Sequence, residues 1–393
     1  MVRELVISSY LFLFRILFNF FKLFPIRDKT TFVATFGDNI GYVAEEVKRS
    51  GQEQLIVLRA EGCKRDFTVD QQTAVKDFRP VRLLQFLQSI YHLATSKVIF
   101  VDNYFGFLSA ADFKTETTCI QLWHAAGAIK QFGLMDPSIE KRSERAKRRF
   151  TEVYSRFHYV VVGSEKMAAI FRKSFGLNND HILRTGIPRT DFFFDKRKTK
   201  QIENDLTERF PVIQNKKVLL YAPTFRDDQL NSPDIALDIA EMYKRLGDEY
   251  VLFLRLHPAV RSNLQNSYPE FVVDVTDYEN INHLLLISDC LITDYSSIPF
   301  EYALLEKPMI FFSYDLQEYQ ESRGFWEDYQ NNIPGPVVNN TGEIIDVLIE
   351  NRFDIGKVRS FSAQWNQYSR GNSSENLVKY IYESQEQQQQ ILH

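Results

Sequence analysis

Short apolar runs alternate with helix-like segments in the second half of this chain. Such runs are Val251–Leu256, Cys290–Thr293 and Met309–Phe312, and polar residues directly follow the first two. Apolar runs of this length between helical segments are typical of parallel strands that are buried on both faces. The pattern therefore predicts βαβ units. In open α/β sheets, ligands bind where the carboxyl ends of the strands meet the loops.

The alternation runs through the whole chain after Lys29 and predicts the α/β class, with two Rossmann-like domains facing a cleft. The other predicted strands are Thr31–Phe36, Gln54–Arg59, Lys97–Val101, Cys119–Trp123, Tyr159–Val162, Lys217–Tyr221, Phe271–Val275 and Pro336–Val338. The predicted helices include Val81–Thr95, Ser143–Phe157 and Glu165–Phe175. We expect domains at residues 1–28 (a membrane-associating helix), 29–195, 196–375 and 376–393 (a C-terminal helix and polar tail).

Residues 5–25 are strongly apolar and rich in phenylalanine, yet four polar residues interrupt them: Ser8, Arg15, Asn19 and Lys22. Their spacing places them on one stripe of an α-helix. A helix with one narrow polar stripe and basic residues is typical of the membrane interface. The length is also compatible with a transmembrane anchor or a buried core helix. The first two interpretations put the protein at a membrane.

Charge and cysteine content narrow the function classes. The net charge of −4 argues against a general nucleic-acid binder, since such proteins are basic. The three cysteines are odd in number and far apart, so we expect neither a disulfide framework nor a zinc site. GxGxxG after a strand, GxxxxGK[ST], HExxH and GxSxG are missing from the sequence. We expect no cofactor, although a loosely held Mg²⁺ is compatible with the sequence.

Ser296 and Ser297 stand at the step from a predicted strand to a predicted helix that has Pro299 in its first turn. Two hydroxyls, free backbone N–H groups and the positive end of a helix dipole suit a phosphate group. The alternative is an N-cap by Ser297 without any ligand.

Two histidines occupy matching places in the two predicted domains. His124 ends an apolar strand ahead of a small-residue turn, in which Gly127 would let a substrate approach the backbone. An imidazole there can act as a general base, and a core histidine or a helix cap is the alternative. His257 follows a strand of the second half. The hypothesis is a base on one side and a phosphate stabiliser on the other.

Further hydrogen-bond donors stand at strand ends or at the domain junction: Thr224, Arg226, Arg255 and Arg189. Together they fit a pyrophosphate better than an apolar ligand, although Arg255 could equally form a structural ion pair. The basic run at residues 141–149 (KRSERAKRR) is either a solvated face or a surface for anionic lipid headgroups.

The chain resembles the CDP-glycerol glycerophosphotransferase family, which builds wall teichoic acid in Gram-positive bacteria. The resemblance is carried by six segments: WHAAGAIKQFG, GIPRTD, YAPTFRD, RLHP, LITDYSSIPFEYALLEKPMIFF and GNSSENLV. It implies a GT-B-like fold with CDP-glycerol in the C-terminal domain. The family's base matches His124, and its second essential histidine matches His257. Donor-contacting positions match Arg189, Pro223, Thr224, Arg255, Ser296, Ser297 and Glu301, to which we add Trp123 and Arg226 as candidates.

The sequence looks most similar to the primase branch of this family. Such an enzyme transfers glycerol phosphate from CDP-glycerol to an undecaprenyl-diphosphate-linked N-acetylmannosaminyl-N-acetylglucosamine acceptor and releases CMP. Polymerases of the family typically carry WHGTPLK where this chain has WHAAGAIK, which leaves the acceptor open. The alternatives are a polymerase, a ribitol-phosphate or capsule transferase, a nucleotide-sugar glycosyltransferase of the same fold, and a silent membrane scaffold. The resemblance also implies a peripheral place on the cytoplasmic face of the cell membrane, beside other teichoic acid enzymes.

Overall fold

The computed structural model describes residues 2–51, 54–63, 65–224, 226, 235–256 and 267–391, and they form two compact units. The first unit comprises residues 1–125, 132–191 and 367–393. The second comprises residues 126–131 and 192–366. The expected boundaries after residues 28, 195 and 375 differ from this grouping, in which the C-terminal helix belongs to the first unit.

A parallel sheet of seven strands forms the centre of the first unit. The strands are Arg27–Ala34 (β1), Gln54–Arg59 (β2), Thr73–Asp77 (β3), Ser96–Val101 (β4), Thr118–Gln121 (β5), Tyr159–Val161 (β6) and Ile182–Leu183 (β7). Their order is β3-β2-β1-β4-β5-β6-β7. Helix Val2–Phe21 (α1) precedes the first strand. Parallel strands need crossover connections, and helices supply most of them: Asp38–Arg49 (α2), Leu83–Thr95 (α3), Glu144–Tyr154 (α4) and Glu165–Phe175 (α5).

A six-stranded parallel sheet forms the second unit. Its strands are Lys217–Tyr221 (β8), Tyr250–Leu254 (β9), Val272–Asp274 (β10), Cys290–Thr293 (β11), Met309–Phe312 (β12) and Val337–Val338 (β13), in the order β10-β9-β8-β11-β12-β13. Its helices are Lys196–Arg209 (α6), Ile239–Leu246 (α7), Ile281–Ile287 (α8), Ile298–Tyr302 (α9), Leu316–Arg323 (α10), Tyr329–Asn332 (α11), Thr341–Ile349 (α12) and Ile355–Trp365 (α13). The chain then returns to the first unit with Ser373–Ile391 (α14).

The local sequence explains where the helices start and stop. α4 and α5 begin after Ser143 and Ser164, whose hydroxyls accept a hydrogen bond from the backbone N–H three residues further on. α5 ends at Gly176, which has the left-handed conformation that glycine adopts without strain. The prediction of a helix over Glu165–Phe175 is therefore confirmed at both ends.

Strands β3 and β7 were not predicted. β3 is an edge strand that carries Lys76 and Asp77 and is mostly half-buried, so it lacks an uninterrupted apolar run. β7 has only two residues and gives no periodic signal. Edge strands of this kind are commonly short or charged, which protects the edge from pairing with other chains.

α1 packs on the first unit through Phe14 and Phe18, which are fully buried. Two members of the predicted polar stripe contact the protein, whereas Asn19 is exposed. Arg15 donates a hydrogen bond to the carbonyl of Ser109 (3.2 Å), and Lys22 pairs with Asp112 (2.8 Å). The outward face is apolar, with large side chains exposed at Leu5, Val6, Phe12, Leu13, Ile16 and Phe20. By length and composition, the helix could cross a membrane over Arg3–Phe21, and 11% of that stretch is buried.

Each sheet has one point at which successive connections leave in opposite directions. In the first unit this point lies between β1 and β4, and in the second it lies between β8 and β11. The loops after two diverging strands leave a crevice at the carboxyl edge of a sheet, which is where open α/β proteins bind ligands. Each unit therefore has its own candidate binding edge, at the ends of β1 and β4 in the first unit and of β8 and β11 in the second.

Candidate active site

His124 lies just beyond the end of β5, and its ring is held in one orientation. Its Nδ1 atom is 3.2 Å from the backbone carbonyl of Asp102. Because a carbonyl oxygen can only accept a hydrogen bond, Nδ1 must carry the proton in the neutral ring. The lone pair is then on Nε2. This is the tautomer that a general base needs at its outer nitrogen.

Two aromatic rings enclose the imidazole. His124 stacks on Phe36 with the ring centroids 4.1 Å apart and on Trp123 with the centroids 4.4 Å apart. Burial among these groups lowers the pKa of His124 to about 4, the bond to the Asp102 carbonyl raises it, and the charge of Arg189 lowers it further. The imidazole is therefore uncharged at neutral pH and ready to accept a proton.

Asp102 anchors both sides of this arrangement. Its carboxylate accepts backbone hydrogen bonds from Thr35 (2.9 Å), Phe36 (2.9 Å) and Gly37 (2.7 Å), in the loop between β1 and α2. Burial raises the pKa of Asp102 to about 6, and the three backbone hydrogen bonds oppose this rise. In dinucleotide-binding sheets the corresponding loop binds a phosphate. Here a carboxylate of the protein occupies that position, which agrees with the missing GxGxxG motif.

Trp123 turns the chain so that His124 leaves the end of the strand. Its φ of 58° lies in the left-handed region, which is strained for a large side chain. The buried Gln121 accepts the N–H of Trp123 (2.8 Å), and Asn39 donates to its carbonyl (2.9 Å). Strain of this kind persists only where the surroundings enforce it.

Asn39, in the first turn of α2, connects Trp123 to a second candidate residue. Its side-chain oxygen accepts the backbone N–H of Arg189 at 3.0 Å. The guanidinium of Arg189 lies 3.7 Å from the carboxylate of Asp38. The structure thus brings His124, Trp123 and Arg189 together in the first unit. Sequence analysis missed Asn39 and Asp102, because their partners are backbone groups far away in the sequence.

The second unit repeats the carboxylate anchor at its own switch point. Asp294 follows β11, and its Oδ1 atom accepts the backbone N–H of Thr224 (2.8 Å), in the loop after β8 that also contains Pro223. Arg226 binds Asp294 (2.9 Å) and forms a two-pronged bond with Asp315 (2.5 and 2.8 Å). Arg226 was a candidate donor-binding residue. Most of its N–H groups are bound to protein oxygens, so its role in the structure is to hold the loop.

The strand-to-helix step at residues 296–301 departs from expectation in its detail. Ser297 occupies the N-cap position of α9, but its hydroxyl makes no capping bond, and Ser296 instead accepts the N–H of Ile298 (3.2 Å). Both serines are half-buried, whereas Glu301 is buried. The hydroxyl of Ser297 makes no hydrogen bond with the described part of the chain and is therefore available at the carboxyl edge of the sheet, while its carbonyl accepts the N–H of Phe300 (3.4 Å).

Arg255 donates a hydrogen bond to the carbonyl of Tyr278 and extends from the end of β9. Its predicted neighbour His257 lies outside the described residues.

The structure gives a packing reason for a glycine at position 127. A Cβ atom there would overlap the ring of Phe300 in the same unit. Packing, rather than access for a substrate, explains this glycine.

Lys130 is a cation that sequence analysis did not single out. Its Nζ atom donates to the hydroxyl of Tyr319 (3.3 Å) and lies 5.8 Å from the centre of that ring. Burial lowers the pKa of Lys130, while the charge of Asp294 raises it. A half-buried lysine beside this switch point is a further group that can contact an anion.

Within the described ranges, no group of three or more His, Cys, Asp or Glu residues could hold a metal ion.

Comparison with known proteins identifies the family. The model of the family "CDP-Glycerol:Poly(glycerophosphate) glycerophosphotransferase" matches residues 18–383. The chain belongs to this family. The enzyme class expected from the sequence is therefore confirmed.

Curated relatives point to primases within this family. A teichoic acid glycerol-phosphate primase of Bacillus subtilis (strain 168) is 36% identical over 97% of this chain and 98% of its own length. A teichoic acid ribitol-phosphate primase of Bacillus spizizenii (strain ATCC 23059 / NRRL B-14472 / W23) is 35% identical over 77% of this chain and 79% of its own length.

A solved structure shows the same fold. The wall teichoic acid polymerase TagF is similar with a TM-score of 0.81 and 23% identity, and the match covers 99% of both chains. A variant of that protein was also solved after soaking with CDPG. The predicted GT-B-like α/β fold of this glycerophosphotransferase is confirmed.

Proposed function

We propose that this glycerophosphotransferase is a primase, which transfers one glycerol phosphate from CDP-glycerol to a polyprenyl-diphosphate-linked disaccharide and releases CMP. Family membership and the 36% identity to a glycerol-phosphate primase support the reaction class. The observation that carries the chemistry is the hydrogen bond between His124 Nδ1 and the Asp102 carbonyl, because it leaves Nε2 as a base. The N-acetylmannosaminyl-N-acetylglucosamine acceptor is the part of the proposal that most needs a test.

In the proposed reaction a sugar hydroxyl attacks the β-phosphorus of CDP-glycerol. A bond forms between the acceptor oxygen and this phosphorus, and the bond from it to the oxygen that bridges the two phosphorus atoms breaks, so that CMP leaves. Nε2 of His124 takes the hydroxyl proton as the new bond forms. Such general-base help is typically worth 10²–10⁴-fold, and positioning and charge stabilisation supply the remainder.

The second unit is proposed to bind the donor. Ser296, Ser297 and Arg255 offer hydroxyl and guanidinium groups at the carboxyl edge of its sheet, and these groups suit a diphosphate. His257, Glu301 and Pro223 stay candidates on the basis of the family resemblance. Arg226 supports the site indirectly, through Asp294 and the loop of Thr224.

We further propose that α1 holds the enzyme on the cytoplasmic face of the cell membrane as a peripheral protein. Its apolar outward face and its polar contacts to Ser109 and Asp112 fit a helix that lies in the interface with the protein on one side and lipid on the other. This location brings the enzyme to a lipid-linked acceptor.

The decisive experiment is mass spectrometry of the product made from CDP-glycerol and a short-chain lipid disaccharide. We expect the mass of the acceptor to increase by about 154 Da, which corresponds to one added glycerol phosphate, and one CMP to be released per product. Several additions would indicate a polymerase. Turnover of CDP-ribitol in preference to CDP-glycerol would favour the ribitol branch, which the second relative represents. Turnover of UDP-sugars alone would indicate a glycosyltransferase.

We propose that no tightly bound cofactor takes part. Activity that survives treatment with EDTA would support this, and restoration of lost activity by added Mg²⁺ would show that a loosely held ion contributes.

A further inference from the structure

A cavity of about 250 Å³ lies between α1 and α4, and arginines dominate its lining. α1 contributes Arg15, and α4 contributes Arg145, Arg148 and Arg149. Glu152 supplies a carboxylate. We call this space the arginine cavity. Four guanidinium groups stand beside two carboxylates, that of Glu152 and that of Glu4, which pairs with Arg149, so positive charge is in excess here although the whole protein carries a net charge of −4.

The spacing along α4 explains how the charges gather. Positions 145, 148 and 149 are three and four residues apart and therefore share one face of the helix, about 5–6 Å between neighbouring Cβ atoms. Arg149 is paired with Glu4 (3.3 Å), and Arg15 donates to a backbone carbonyl. Arg145 and Arg148 make no hydrogen bond or ion pair with the residues that the structure describes. Like charges at this spacing repel one another, so an anion between them would be stabilising.

A second cavity of about 430 Å³ adjoins the first and shares Leu11 and Arg149 with it. We call it the aromatic cavity, after its lining: Tyr10, Phe78, Tyr104, Phe105, Phe107 and Phe150. Tyr104 is two residues beyond Asp102, so their Cα atoms are at most about 7.6 Å apart. One lining residue of the aromatic cavity is therefore close to Asp102, whose carbonyl holds His124.

The other side of the arginine cavity meets the apolar face of α1. Phe12 lines the cavity and is 67% exposed. A positive cavity with an apolar helix face on one side and an aromatic cavity on the other matches an amphiphile that has an anionic group in its middle.

We propose that the arginine cavity binds the diphosphate of a polyprenyl diphosphate, with the hydrocarbon along the outward face of α1 and the sugars directed into the aromatic cavity. The inference rests on the proposed function in naming this lipid as the anchor of the acceptor. Guanidinium groups bind phosphate oxygens in pairs, which suits a diphosphate. A phospholipid headgroup shares the phosphate chemistry, but a cavity with four arginines favours the more highly charged diphosphate.

The test compares two double variants of the same basic run. Arg145→Ala with Arg148→Ala removes two positive charges from the cavity. Lys141→Ala with Lys147→Ala removes the same charge from residues that do not line it. Binding of farnesyl diphosphate to full-length protein in uncharged detergent is measured by calorimetry, with farnesol as the phosphate-free probe. Sedimentation with vesicles that contain phosphatidylglycerol is measured in parallel.

We expect the arginine pair to weaken farnesyl diphosphate binding at least tenfold and to leave farnesol binding unchanged, while the lysine pair changes neither. Equal weakening in both pairs, or unchanged farnesyl diphosphate binding in the arginine pair, would overturn the proposal. Loss of vesicle binding alone in the arginine pair would assign the cavity to phospholipid and would also overturn it. Because the binding assay needs no turnover, wild-type enzyme that binds farnesyl diphosphate without transferring glycerol phosphate would refute the proposed function while supporting the cavity.

Discussion

The backbone carbonyl of Asp102 accepts a hydrogen bond from Nδ1 of His124, and the carboxylate of the same aspartate binds the loop that carries Phe36. One residue thus fixes the tautomer of the imidazole through its main chain and the ring stacked on that imidazole through its side chain. In the second unit, Asp294 takes the equivalent place after β11 and binds the backbone of Thr224. A buried carboxylate at the switch point is therefore a shared device of the two sheets.

Asp102→Asn should separate these two functions of Asp102. The carbonyl bond to His124 remains, but an asparagine turns an NH₂ group towards backbone donors that need an acceptor. A buried donor left without an acceptor costs about 1–3 kcal/mol, and kcat should fall about tenfold because Phe36 is no longer fixed. Urea unfolding and steady-state kinetics measure the two effects. Asp112→Asn is the control, since Asp112 is exposed and pairs with Lys22. Loss of stability with unchanged kcat would contradict the positioning role.

His124→Ala should reduce CMP release by roughly 10²–10⁴-fold while the unfolding transition stays close to that of the wild type. His181→Ala is the matched control, because His181 is half-buried, lies away from His124 in the sequence and uses its ring to contact the carbonyl of His158 (2.9 Å). Normal turnover of purified His124→Ala enzyme would refute the role of base.

The pH dependence of the wild type tests the same assignment. Burial lowers the pKa of His124 to about 4, so the base loses activity only when the pH falls towards 4, rather than near the ordinary histidine value of about 6.5. Burial raises the pKa of Asp102 to about 6, which adds an inflection there that Asp102→Asn should remove. An acid limb of kcat/KM that stays near pH 6.5 in this variant would mean that His124 is not shielded as described.

The sequence predicted the strand ends well and the contacts between them poorly. Apolar runs locate β5 and β11, so His124 and Ser296 could be placed at the carboxyl edge without coordinates. The partners of Arg226 could not be predicted, because Asp294 and Asp315 are 68 and 89 positions away. The stripe on α1 shows the same limit. Periodicity reveals which residues share a face, but not which neighbour that face meets.

Asn39→Asp should show whether the turn at Trp123 depends on a side-chain donor. The carboxylate can still accept the N–H of Arg189, but it cannot donate to the carbonyl of Trp123. The strained turn then loses one of its two supports, and we expect kcat to fall about tenfold with a stability loss of about 1–3 kcal/mol. Asn178→Asp, at an exposed position outside this turn, is the control. Wild-type kcat in Asn39→Asp would show that Gln121 alone holds the turn.

Arg226→Met should destabilise the second unit, because it removes the guanidinium from two carboxylates. Breaking a buried ion pair by removing one partner costs about 3–5 kcal/mol. Burial raises the pKa of Asp315, but its bonds to Arg226 outweigh this and lower it. In the wild type that stabilisation is present above the ordinary carboxyl pKa and is lost as the pH falls through the lowered value. In the variant the unpaired carboxylates can take up protons as the pH falls. The difference in the free energy of unfolding between the wild type and Arg226→Met should therefore be smaller at pH 5 than at pH 7.

Denaturant unfolding at both pH values measures this effect, with Arg226→Lys as the variant that keeps the charge but not the two-pronged bond. We expect a smaller loss for lysine than for methionine. Equal stability of Arg226→Met and the wild type at pH 7 would show that the carboxylates need no cation.

Membrane binding by α1 is best tested on its surface, since deleting residues 1–25 would also remove the buried Phe14 and Phe18. Leu13→Glu with Ile16→Glu places two carboxylates on the apolar outward face, where both side chains are at least half exposed. We expect this variant to lose sedimentation with vesicles and to keep its melting temperature, because the replaced groups do not pack in the core.

Ser9→Glu with Asn19→Glu is the matched control for this helix. It adds the same charge at exposed polar positions and removes no apolar surface. If charge repulsion from anionic lipid caused the loss of membrane binding, both double variants would lose sedimentation with vesicles to the same extent. If burial of apolar side chains drives binding, only the Leu13 and Ile16 substitutions should release the protein, and they should do so in high salt as well, because the hydrophobic contribution is not screened. Continued sedimentation of that variant would exclude α1 as the membrane contact.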